Sequence, residues 1–415
     1  MAKRLLFVTT RLPWPTNSGR RTSLYHYCRG LHEAYGYEVS LFAFPEWDQA
    51  RSDKDKPPFI SRVHFAAPIG RLTKLWRLLC ALLRGTPYQN ALYESGKNHR
   101  LLAELIAKEK PDVVIFDMLR LAPYMREATG RAKCILDLDD LLSVRYSRQL
   151  RARGADTGIA GKYAGAMSPI AERLLCHGKL GRLILKSEQT RVARAELHYA
   201  KAADGVILVS AKETAQLNRA LARSLAVTVP TGTDVAAFTV DGVAKKPHTF
   251  GFVGNLYAAA NVASLTEIIT NVLPQLRVPF TFEVAGPCPD EVRARFAGVN
   301  GLAFLGEVES TARVMATWQF TLCPIAFGTG LKTKVLEAMA AGLPVLTNTL
   351  GAEGIGAVNG KELFVQEAPH DLAATAELLL TDTALCESIG EAARAFALAN
   401  FDWNVIFKAF GQLDL

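Results

Sequence analysis

The sequence contains no Cys-x-x-Cys pair. Its seven cysteines are scattered along 415 residues, at positions 28, 80, 134, 176, 288, 323 and 386. This spacing argues against a structural zinc site and against a disulfide framework, and it fits a reducing compartment. We therefore expect a cytoplasmic protein that is stabilised by packed cores, for which this length and a hydrophobic content of 49% are sufficient.

Long apolar runs are missing as well. The run Leu5-Leu-Phe-Val-Thr9 near the start is too short for a signal peptide or a membrane span, and no later segment reaches spanning length without charges. Any membrane association is therefore expected to be peripheral, on the cytoplasmic face.

The Gly-x-Gly-x-x-Gly fingerprint of dinucleotide-binding domains is also absent. A strand over residues 4–9, a polar loop and a helix over residues 20–34 are predicted, but Gly19 stands alone between them. This pattern argues against nicotinamide binding, and no other cofactor is expected.

Positive charge is concentrated in the first half of the chain. Residues 1–230 contain 37 Lys and Arg against 21 Asp and Glu, a net charge of +16, whereas the remainder has 11 against 19, a net charge of −8. The asymmetry predicts an anionic partner, such as a membrane surface or an anionic acceptor, with an ordinary solvated surface as the alternative. Nucleic acid is not expected, because the sequence has no recognition motif and no groove of stacking aromatics.

Residues 71–84 carry four basic residues, with Trp76 among leucines. Their spacing predicts a basic amphipathic helix. It is equally compatible with a helix in a membrane interface and with an ordinary helix packed on the sheet.

Short apolar segments alternate with helical patterns in both halves. Strands are predicted at residues 4–9, 39–44, 113–116, 134–138, 205–209 and 225–229, and again at 249–253, 280–285, 302–305, 320–324, 344–347 and 363–365. Such alternation predicts an α/β fold of two doubly wound parallel-sheet, Rossmann-like domains, which we expect to face each other across a cleft. The predicted parts are a first domain (1–230), a linker (231–248), a second domain (249–400) and a C-terminal helix (401–415) that packs back toward the first domain. Residues 46–62 and 145–165 are predicted to be loops, the latter as part of an acceptor site.

The most informative stretch runs from Ala326 to Thr347. Gly328 and Gly330 predict a loop that approaches a ligand closely and leads into a helix, whose N-terminal amides attract anions. Turning this helix by about 100° per residue puts Lys334 and Glu337 on one face of a largely apolar element. We interpret them as a cation for phosphate and a carboxylate for ribose hydroxyls, with a local ion pair as the alternative. Lys332 lies on the opposite flank and ranks second as a phosphate ligand.

Three carboxylates follow a predicted strand of the first domain, in Asp137-Leu-Asp-Asp140. Open α/β sheets place their ligands at such strand ends, so Asp137 and Asp139 are candidate catalytic residues. The alternative is that they cap the helix that begins near Leu141.

These features together resemble the family 4 glycosyltransferases, which have the GT-B fold, and the resemblance extends over nearly the whole chain. It rests on the order and spacing of several weak motifs: Pro13-Trp-Pro-Thr-Asn-Ser-Gly19, Ala203-Asp-Gly-Val-Ile-Leu-Val-Ser210, Val229-Pro-Thr-Gly-Thr-Asp-Val-Ala-Ala-Phe238, Phe252-Val-Gly254, Val284-Ala-Gly286, Phe304-Leu-Gly306 and the stretch from Ala326.

The resemblance implies an enzyme that moves a sugar from a nucleoside diphosphate, UDP among them, to an acceptor hydroxyl with retention, in surface polysaccharide, exopolysaccharide or glycolipid assembly. It implies that Glu337 holds the donor ribose, that the loop before it receives the diphosphate, and that Gly19 lets the first domain close on the donor. The remaining candidate donor contacts are Gly254, Asn255, Thr329, Gly330, Lys332 and Lys334, and Lys334 is also a catalytic candidate. The sequence departs from the family pattern at Thr329, where the family has a glutamate, and at Asn255, where it often has an arginine.

No Asp-x-Asp motif lies near the predicted donor loop, since Asp137-Leu-Asp139 belongs to the first domain. We therefore expect a metal-independent enzyme in which Lys334, loop amides and the helix dipole stabilise the leaving diphosphate. Two alternatives stay open: a sugar-nucleotide epimerase of the same fold, and a glycosyltransferase that acts on a soluble small-molecule acceptor.

Overall fold

The structure is a computed structural model of the chain, and it describes residues 3–16, 19–45, 49, 51–151, 178–240, 242–328 and 330–415. These residues form two units. Unit 1 extends to Val229 and includes Phe407–Leu415, and unit 2 is Pro230–Ile406.

Unit 1 is built on a sheet of seven parallel strands in the order β3-β2-β1-β4-β5-β6-β7. The five strands inside the sheet edges are mostly apolar and buried on both faces, as parallel strands between two layers of helices require. The strands are β1 (Arg4–Thr9), β2 (Glu38–Ala43), β3 (Ile60–Phe65), β4 (Val113–Asp117), β5 (Lys133–Asp139), β6 (Gly205–Leu208) and β7 (Ala226–Thr228).

The described helices of unit 1 connect these strands. They are α1 (Gly19–Glu33), α2 (Arg71–Arg84), α3 (Tyr88–Tyr93), α4 (Gly96–Glu109), α5 (Leu142–Arg151), α6 (Gly178–Ala202) and α7 (Ala211–Leu221), with a 3₁₀ segment at Leu119–Glu127. A second 3₁₀ segment near the chain end, Phe407–Leu413, belongs to unit 1, where the Phe410 ring packs edge-on against Tyr27 at 5.1 Å.

Two loop predictions in unit 1 are corrected. Residues 60–62 begin strand β3, whose exposed and half-exposed polar residues at the sheet edge gave a weak apolar signal. Residues 145–151 belong to helix α5, which packs against α6 instead of forming a loop. The rest of the segment predicted as a loop, residues 152–165, lies outside the described residues.

Unit 2 contains six parallel strands in the order β10-β9-β8-β11-β12-β13. They are β8 (Thr249–Val253), β9 (Thr281–Ala285), β10 (Leu302–Gly306), β11 (Thr321–Leu322), β12 (Val345–Thr347) and β13 (Phe364–Val365). The α-helices between and after them are α8 (Ala259–Glu267), α9 (Asp290–Arg295), α10 (Thr311–Ala316), α11 (Thr333–Ala340), α12 (Thr349–Ala352), α13 (Pro369–Thr381), α14 (Thr383–Phe401) and α15 (Trp403–Ile406). Shorter helical turns lie at Ala236–Phe238, Ile268–Val272 and Leu273–Gln275.

The predicted α/β fold with two parallel-sheet domains is confirmed. In each sheet the strand order reverses direction once, between β1 and β4 in unit 1 and between β8 and β11 in unit 2. Ligands of open α/β sheets bind outside the carboxyl ends of the strands at such a point, and the candidate residues of both units lie there. No helix among the described residues is long and apolar enough to cross a membrane.

Candidate functional site

In unit 2 the candidate residues surround the carboxyl ends of β8 and β11. The loop after β11 contains Gly328 and Gly330, with φ of 147° and 70°, and leads into α11. A left-handed φ such as that of Gly330 suits glycine, because a Cβ would strain the backbone. Thr329, between them, lies outside the described residues.

Two side-chain contacts anchor the start of this loop. The Ser264 hydroxyl on α8 accepts a hydrogen bond from the Ala326 amide at 3.1 Å. The Asn348 amide group donates to the Ile325 carbonyl and accepts from the Ile325 amide, both at 3.0 Å. The loop therefore leaves β11 in a defined direction before it reaches the glycines.

Helix α11 is held rigidly beneath the loop. Its residues Val335, Leu336, Ala338, Met339 and Ala340 are buried. At its C-terminus the Arg394 guanidinium on α14 donates to the Ala340 carbonyl, which places a cation where the helix dipole favours one. The polar face of α11 is thus fixed by packing on its other faces.

Lys334 lies in the first turn of α11 and is part-buried. Its ammonium donates to Asn261 Oδ1 at 2.6 Å and lies 4.4 Å from the centre of the Phe252 ring, a cation–π contact. Burial lowers the pKa of Lys334, although Cys323 and Glu337 oppose this effect. The cation is therefore held in place without a neutralising carboxylate in contact.

Glu337, one turn further along α11, is part-buried as well. Burial raises its pKa, and the nearby Lys334 only partly offsets this. Within the described ranges no protein group donates a hydrogen bond to its carboxylate and no ion pair joins it to Lys334, so the local ion-pair alternative is not observed. A desolvated carboxylate without a donor is poised to accept hydrogen bonds from a ligand.

The turn after β8 fixes the side chain of Asn261, which accepts the hydrogen bond from Lys334. The Asn261 side-chain amide donates to the Asn255 carbonyl at 2.8 Å, and Asn255 Oδ1 accepts from the Tyr257 amide at 2.9 Å. A Cβ on Gly254 would approach Phe252 Cε1 to 2.9 Å and Asn261 Cγ to 3.1 Å. Glycine at position 254 therefore lets both partners of Lys334 approach the backbone.

Lys332 is the N-cap residue of α11 and makes no side-chain cap hydrogen bond. Its ammonium donates to the Gly330 carbonyl at 2.5 Å, so it lies at the loop end, where the sequence placed it. Together the loop, the start of α11 and the two lysines make a positive, glycine-lined surface that suits an anionic ligand.

In unit 1 a second polar cluster gathers at the carboxyl ends of β1, β4 and β5. Arg20, directly after Gly19 at the start of α1, donates to Asp117 at 2.6 Å, to Asp137 at 2.7 Å and to Asp139 at 3.1 Å. Asp117 also accepts from the amide and hydroxyl of Thr10. One guanidinium thus holds three carboxylates.

The carboxylates differ in accessibility and in the direction of their pKa shifts. Asp117 and Asp137 are fully buried, whereas 23% of the Asp139 side chain is exposed. Burial raises the pKa of Asp137 to about 6, against the opposing effect of Arg20. Burial also acts on Asp117, but Arg20, Arg11 and Thr10 outweigh it and hold its pKa below the usual value.

The helix-capping alternative for Asp137 and Asp139 is not observed among the described residues. Asp137 accepts from the Asp139 amide and from Arg20, while the amides at Leu141 and Ser143 donate to Glu213 and Glu196 instead. Asp139 has a positive φ of 66° and stands at the exit of β5.

The structure therefore brings Lys334, Glu337, Lys332, Gly330, Gly254 and Asn255 into one region of unit 2, and Asp137 and Asp139 next to Gly19 in unit 1. Sequence reasoning missed Asn261, Phe252, Arg20 and Asp117. Only Asp117 carried a usable signal, because it ends a predicted buried strand adjacent to that of Asp137. In the ranges that the structure describes, no group of three His, Cys, Asp or Glu side chains is arranged to hold a metal ion.

One comparison with known protein families covers part of unit 2. Residues 247–382, within unit 2, match the family model described as "Glycosyl transferases group 1". Glycogen synthase from Mycobacterium tuberculosis is 37% identical over 83 residues, which are 19% of this chain and 20% of that protein. The chain therefore spans about a fifth of the length of the curated relatives it matches.

Solved structures resemble the chain over almost its full length. Sucrose-phosphate synthase from Thermosynechococcus elongatus has a TM-score of 0.68 at 17% identity and covers 99% of this chain and 98% of its own. Anabaena HepE in complex with UDP has a TM-score of 0.63 at 15% identity, with coverage of 99% and 98%. At these identities the likeness shows the fold, and the chain has the GT-B fold of glycosyltransferases.

Proposed function

We propose that this protein is a glycosyltransferase that moves a sugar from a nucleoside diphosphate, with UDP the favoured nucleotide, to an acceptor hydroxyl. One observation carries the proposal: a part-buried cation and a part-buried carboxylate lie one turn apart on α11, and no hydrogen bond or ion pair joins them among the described residues. They lie inside the segment that matches the glycosyltransferase model. HepE, which shares the fold, was solved with UDP and with UDP and glucose.

The two charges on α11 suit different parts of one donor. Ribose hydroxyls donate to the Glu337 carboxylate, which replaces the hydrogen bonds it lost on burial. The diphosphate is met by Lys334, by Lys332 and by the amides of the loop that contains Gly330, at the positive end of the α11 dipole. Thr329 belongs to the same loop and completes the proposed donor contacts, together with Gly254 and Asn255.

In the transfer step the bond between the sugar C1 and the β-phosphate oxygen breaks, and the acceptor oxygen bonds to C1. Negative charge grows on the departing diphosphate, so Lys334 contributes more in the transition state than in the ground state. Asp139 is the exposed carboxylate of the Arg20 cluster, and we assign it to the acceptor hydroxyl, whose proton it accepts. Asp137 is buried and accepts hydrogen bonds from Arg20 and from the Asp139 amide. Its role is therefore to position Asp139. Gly19, next to Arg20, gives α1 the freedom to shift when the donor binds.

The finer features of the function are also proposals. Transfer proceeds with retention, so the acceptor oxygen attacks C1 on the face that the diphosphate leaves. No divalent cation is needed, because two lysines and backbone amides supply the positive charge at the diphosphate. The acceptor is a lipid-linked or saccharide precursor of surface polysaccharide, exopolysaccharide or glycolipid, which suits the net +16 of residues 1–230. The protein works in the cytoplasm or at the cytoplasmic face of the membrane.

A thermal-shift screen tests the donor assignment. UDP, GDP, ADP and dTDP are compared in the presence of EDTA, with wild type, Glu337→Ala and the exposed-residue control Glu391→Ala. A ligand at 100 times its Kd stabilises the folded state by about 2.7 kcal/mol, so UDP should raise Tm in wild type and in the control but much less in Glu337→Ala. No response to any nucleotide, or equal responses in all three proteins, would remove the donor site from α11.

Product analysis separates the transferase from its alternative. Incubation of UDP-sugars without an acceptor should give at most slow hydrolysis, whereas an epimerase would accumulate a new UDP-sugar. With an acceptor, NMR of the glycoside should show the donor's anomeric configuration. Loss of turnover in EDTA with recovery on adding magnesium or manganese would contradict the metal-independent mechanism.

A further inference from the structure

Helix α2 exposes an unusual amount of apolar side chain. Among the described residues of the chain, thirteen large hydrophobic side chains are exposed, and six of them belong to this one helix: Leu72, Leu75, Trp76, Leu79, Leu82 and Leu83. Single exposed apolar residues need no explanation, but a cluster of six marks an interaction surface.

The orientation of α2 is the reverse of that expected for a helix packed on a sheet. At about 100° per residue the six side chains fall within one arc of about 120°, while Ala81 lies on the opposite side. Ala81 is the buried residue, and Trp76 is 67% exposed. The helix thus packs through a small side chain and presents six large apolar ones to solvent, which is not the packing of an ordinary helix on the sheet.

Contacts from neighbouring elements hold α2 in this orientation. The Arg191 guanidinium on α6 donates to the carbonyls of Ala81 at 3.0 Å, Thr86 at 3.3 Å and Leu82 at 3.4 Å, at the C-terminal end of α2. Arg77 lies 4.0 Å from Glu94. The C-terminal carbonyls of α2 therefore have hydrogen-bond partners within unit 1, while the apolar face of the helix is exposed.

The positive charge of α2 indicates which kind of partner binds its apolar face. The helix contains four basic residues, Arg71, Lys74, Arg77 and Arg84, and no acidic residue. The neighbouring α6 adds exposed Arg182 and Lys186 around exposed Leu183. Two copies of the chain meeting through α2 would bring like charges together, whereas an anionic bilayer accepts both the leucines and the cations.

We propose that α2 docks unit 1 on the surface of an anionic lipid bilayer, with Trp76 and the leucines in the interface and the basic side chains at the headgroups. The docking itself stands on α2 alone. That it brings a lipid-linked acceptor within reach of the enzyme rests on the proposed function.

Cosedimentation of the full chain with vesicles tests the docking. Vesicles of phosphatidylglycerol and phosphatidylcholine in equal parts are compared with phosphatidylcholine alone. Binding should require the anionic lipid and should weaken steeply between about 0.05 and about 0.5 M salt. Leu79→Ser should weaken it about tenfold, because one buried leucine is lost from the interface. Leu398→Ser is the matched control, since Leu398 is 53% exposed and Leu79 is 52% exposed.

Charge and position are tested separately. Lys74→Glu with Arg84→Glu should weaken binding to anionic vesicles more than tenfold. Tryptophan emission should shift to the blue when vesicles are added, and Trp76→Phe should abolish the shift while retaining most of the binding. Trp318 and Trp403 cannot produce such a shift by themselves, because both are fully buried in unit 2.

Equal binding of Leu79→Ser and Leu398→Ser, or equal binding to neutral and anionic vesicles, would overturn the docking. Self-association in the absence of lipid that Leu79→Ser abolishes would identify a second copy as the occupant and would overturn it too. UDP binding to Leu79→Ser, measured by calorimetry without vesicles, separates the two proposals. If Leu79→Ser binds UDP normally but no longer binds vesicles, the docking surface is α2. If the wild-type chain binds vesicles but no nucleotide, the proposed glycosyltransferase function is contradicted and the docking proposal is not.

Discussion

The charged clusters of the two units are built in opposite ways. In unit 1, Arg20 contacts three aspartates, and Asp117 takes two further hydrogen bonds from Thr10. In unit 2, Lys334 has a neutral amide and an aromatic ring as partners, and Glu337 has no donor among the described residues. The first cluster is satisfied by the protein itself, whereas we propose that a ligand satisfies the second.

We infer from this contrast that Arg20, Asp117 and Asp137 serve the fold, whereas Lys334, Glu337 and the partly exposed Asp139 serve the proposed function. Buried charges that satisfy one another are costly to separate. Substitution of Arg20 should therefore lower the free energy of unfolding more than substitution of the charges on α11. Buried charges without such partners make the empty protein less stable and are retained where a ligand uses them. Substitutions in the two clusters should therefore move different observables.

The largest effect is expected for Arg20→Met. It removes the cation shared by two buried carboxylates, Asp117 and Asp137, and by the partly exposed Asp139, and we expect the free energy of unfolding to fall by about 3 to 5 kcal/mol at pH 8, measured by urea denaturation. The deficit should shrink as pH falls from 8, because loss of Arg20 raises the folded-state pKa of these carboxylates, and carboxylates with a raised pKa favour folding when protonated. Arg62→Met is the control: Arg62 also contacts two carboxylates but is 60% exposed, so less than about 1 kcal/mol should be lost. Equal losses in both variants would contradict the role of Arg20.

Glu337→Ala should weaken binding of a UDP donor by about 2 to 4 kcal/mol, because ribose hydroxyls lose a charged acceptor in a desolvated site. Without ligand the variant should be no less stable than wild type, and Glu337→Gln should be more stable at pH 8. The folded-state pKa of Glu337 is raised, so its ionisation opposes folding as pH rises. Calorimetry with UDP measures the loss of binding, and Tm without UDP measures the change in stability. A variant that loses stability but binds UDP normally would make Glu337 a structural residue.

Lys334→Ala should lower kcat about 100-fold, or about 2.7 kcal/mol, with a smaller change in KM. The reason is that diphosphate charge grows toward the transition state. Lys361→Ala provides the control, because Lys361 is an exposed lysine of the same unit, and its kinetics should match wild type. If KM rises while kcat is unchanged, Lys334 binds the donor without taking part in the chemical step.

The smallest effect is expected for Asp139→Asn, which should lower kcat about tenfold while stability changes by less than about 1 kcal/mol. Asparagine tolerates the positive φ at this position, so the backbone is retained. Asp112→Asn, an exposed residue just before the amino end of β4, is the control and should retain full kcat. A loss of stability at Asp139 as large as that at Arg20 would make it part of the structural cluster instead of the acceptor site.

By itself the sequence was sufficient to predict the fold class. Parallel strands buried on both faces are continuous apolar runs, so the strands of both sheets were recognisable, including Thr249–Val253 to the residue. Strand β3 and residues 145–151 of α5 were missed because their polar residues mask the local pattern. The face shared by Lys334 and Glu337 was also predictable, since helical periodicity is a local property.

Only the tertiary structure decided what those side chains meet. Asn261 and Phe252 reach Lys334 from different elements, and Arg20 gathers aspartates that lie about a hundred residues further along the chain. Likewise, the sequence predicted an amphipathic α2, but which of its faces points to solvent depends on how Ala81 and Arg191 pack. Periodicity specifies which residues share a face, whereas the direction of that face is set by contacts between distant segments.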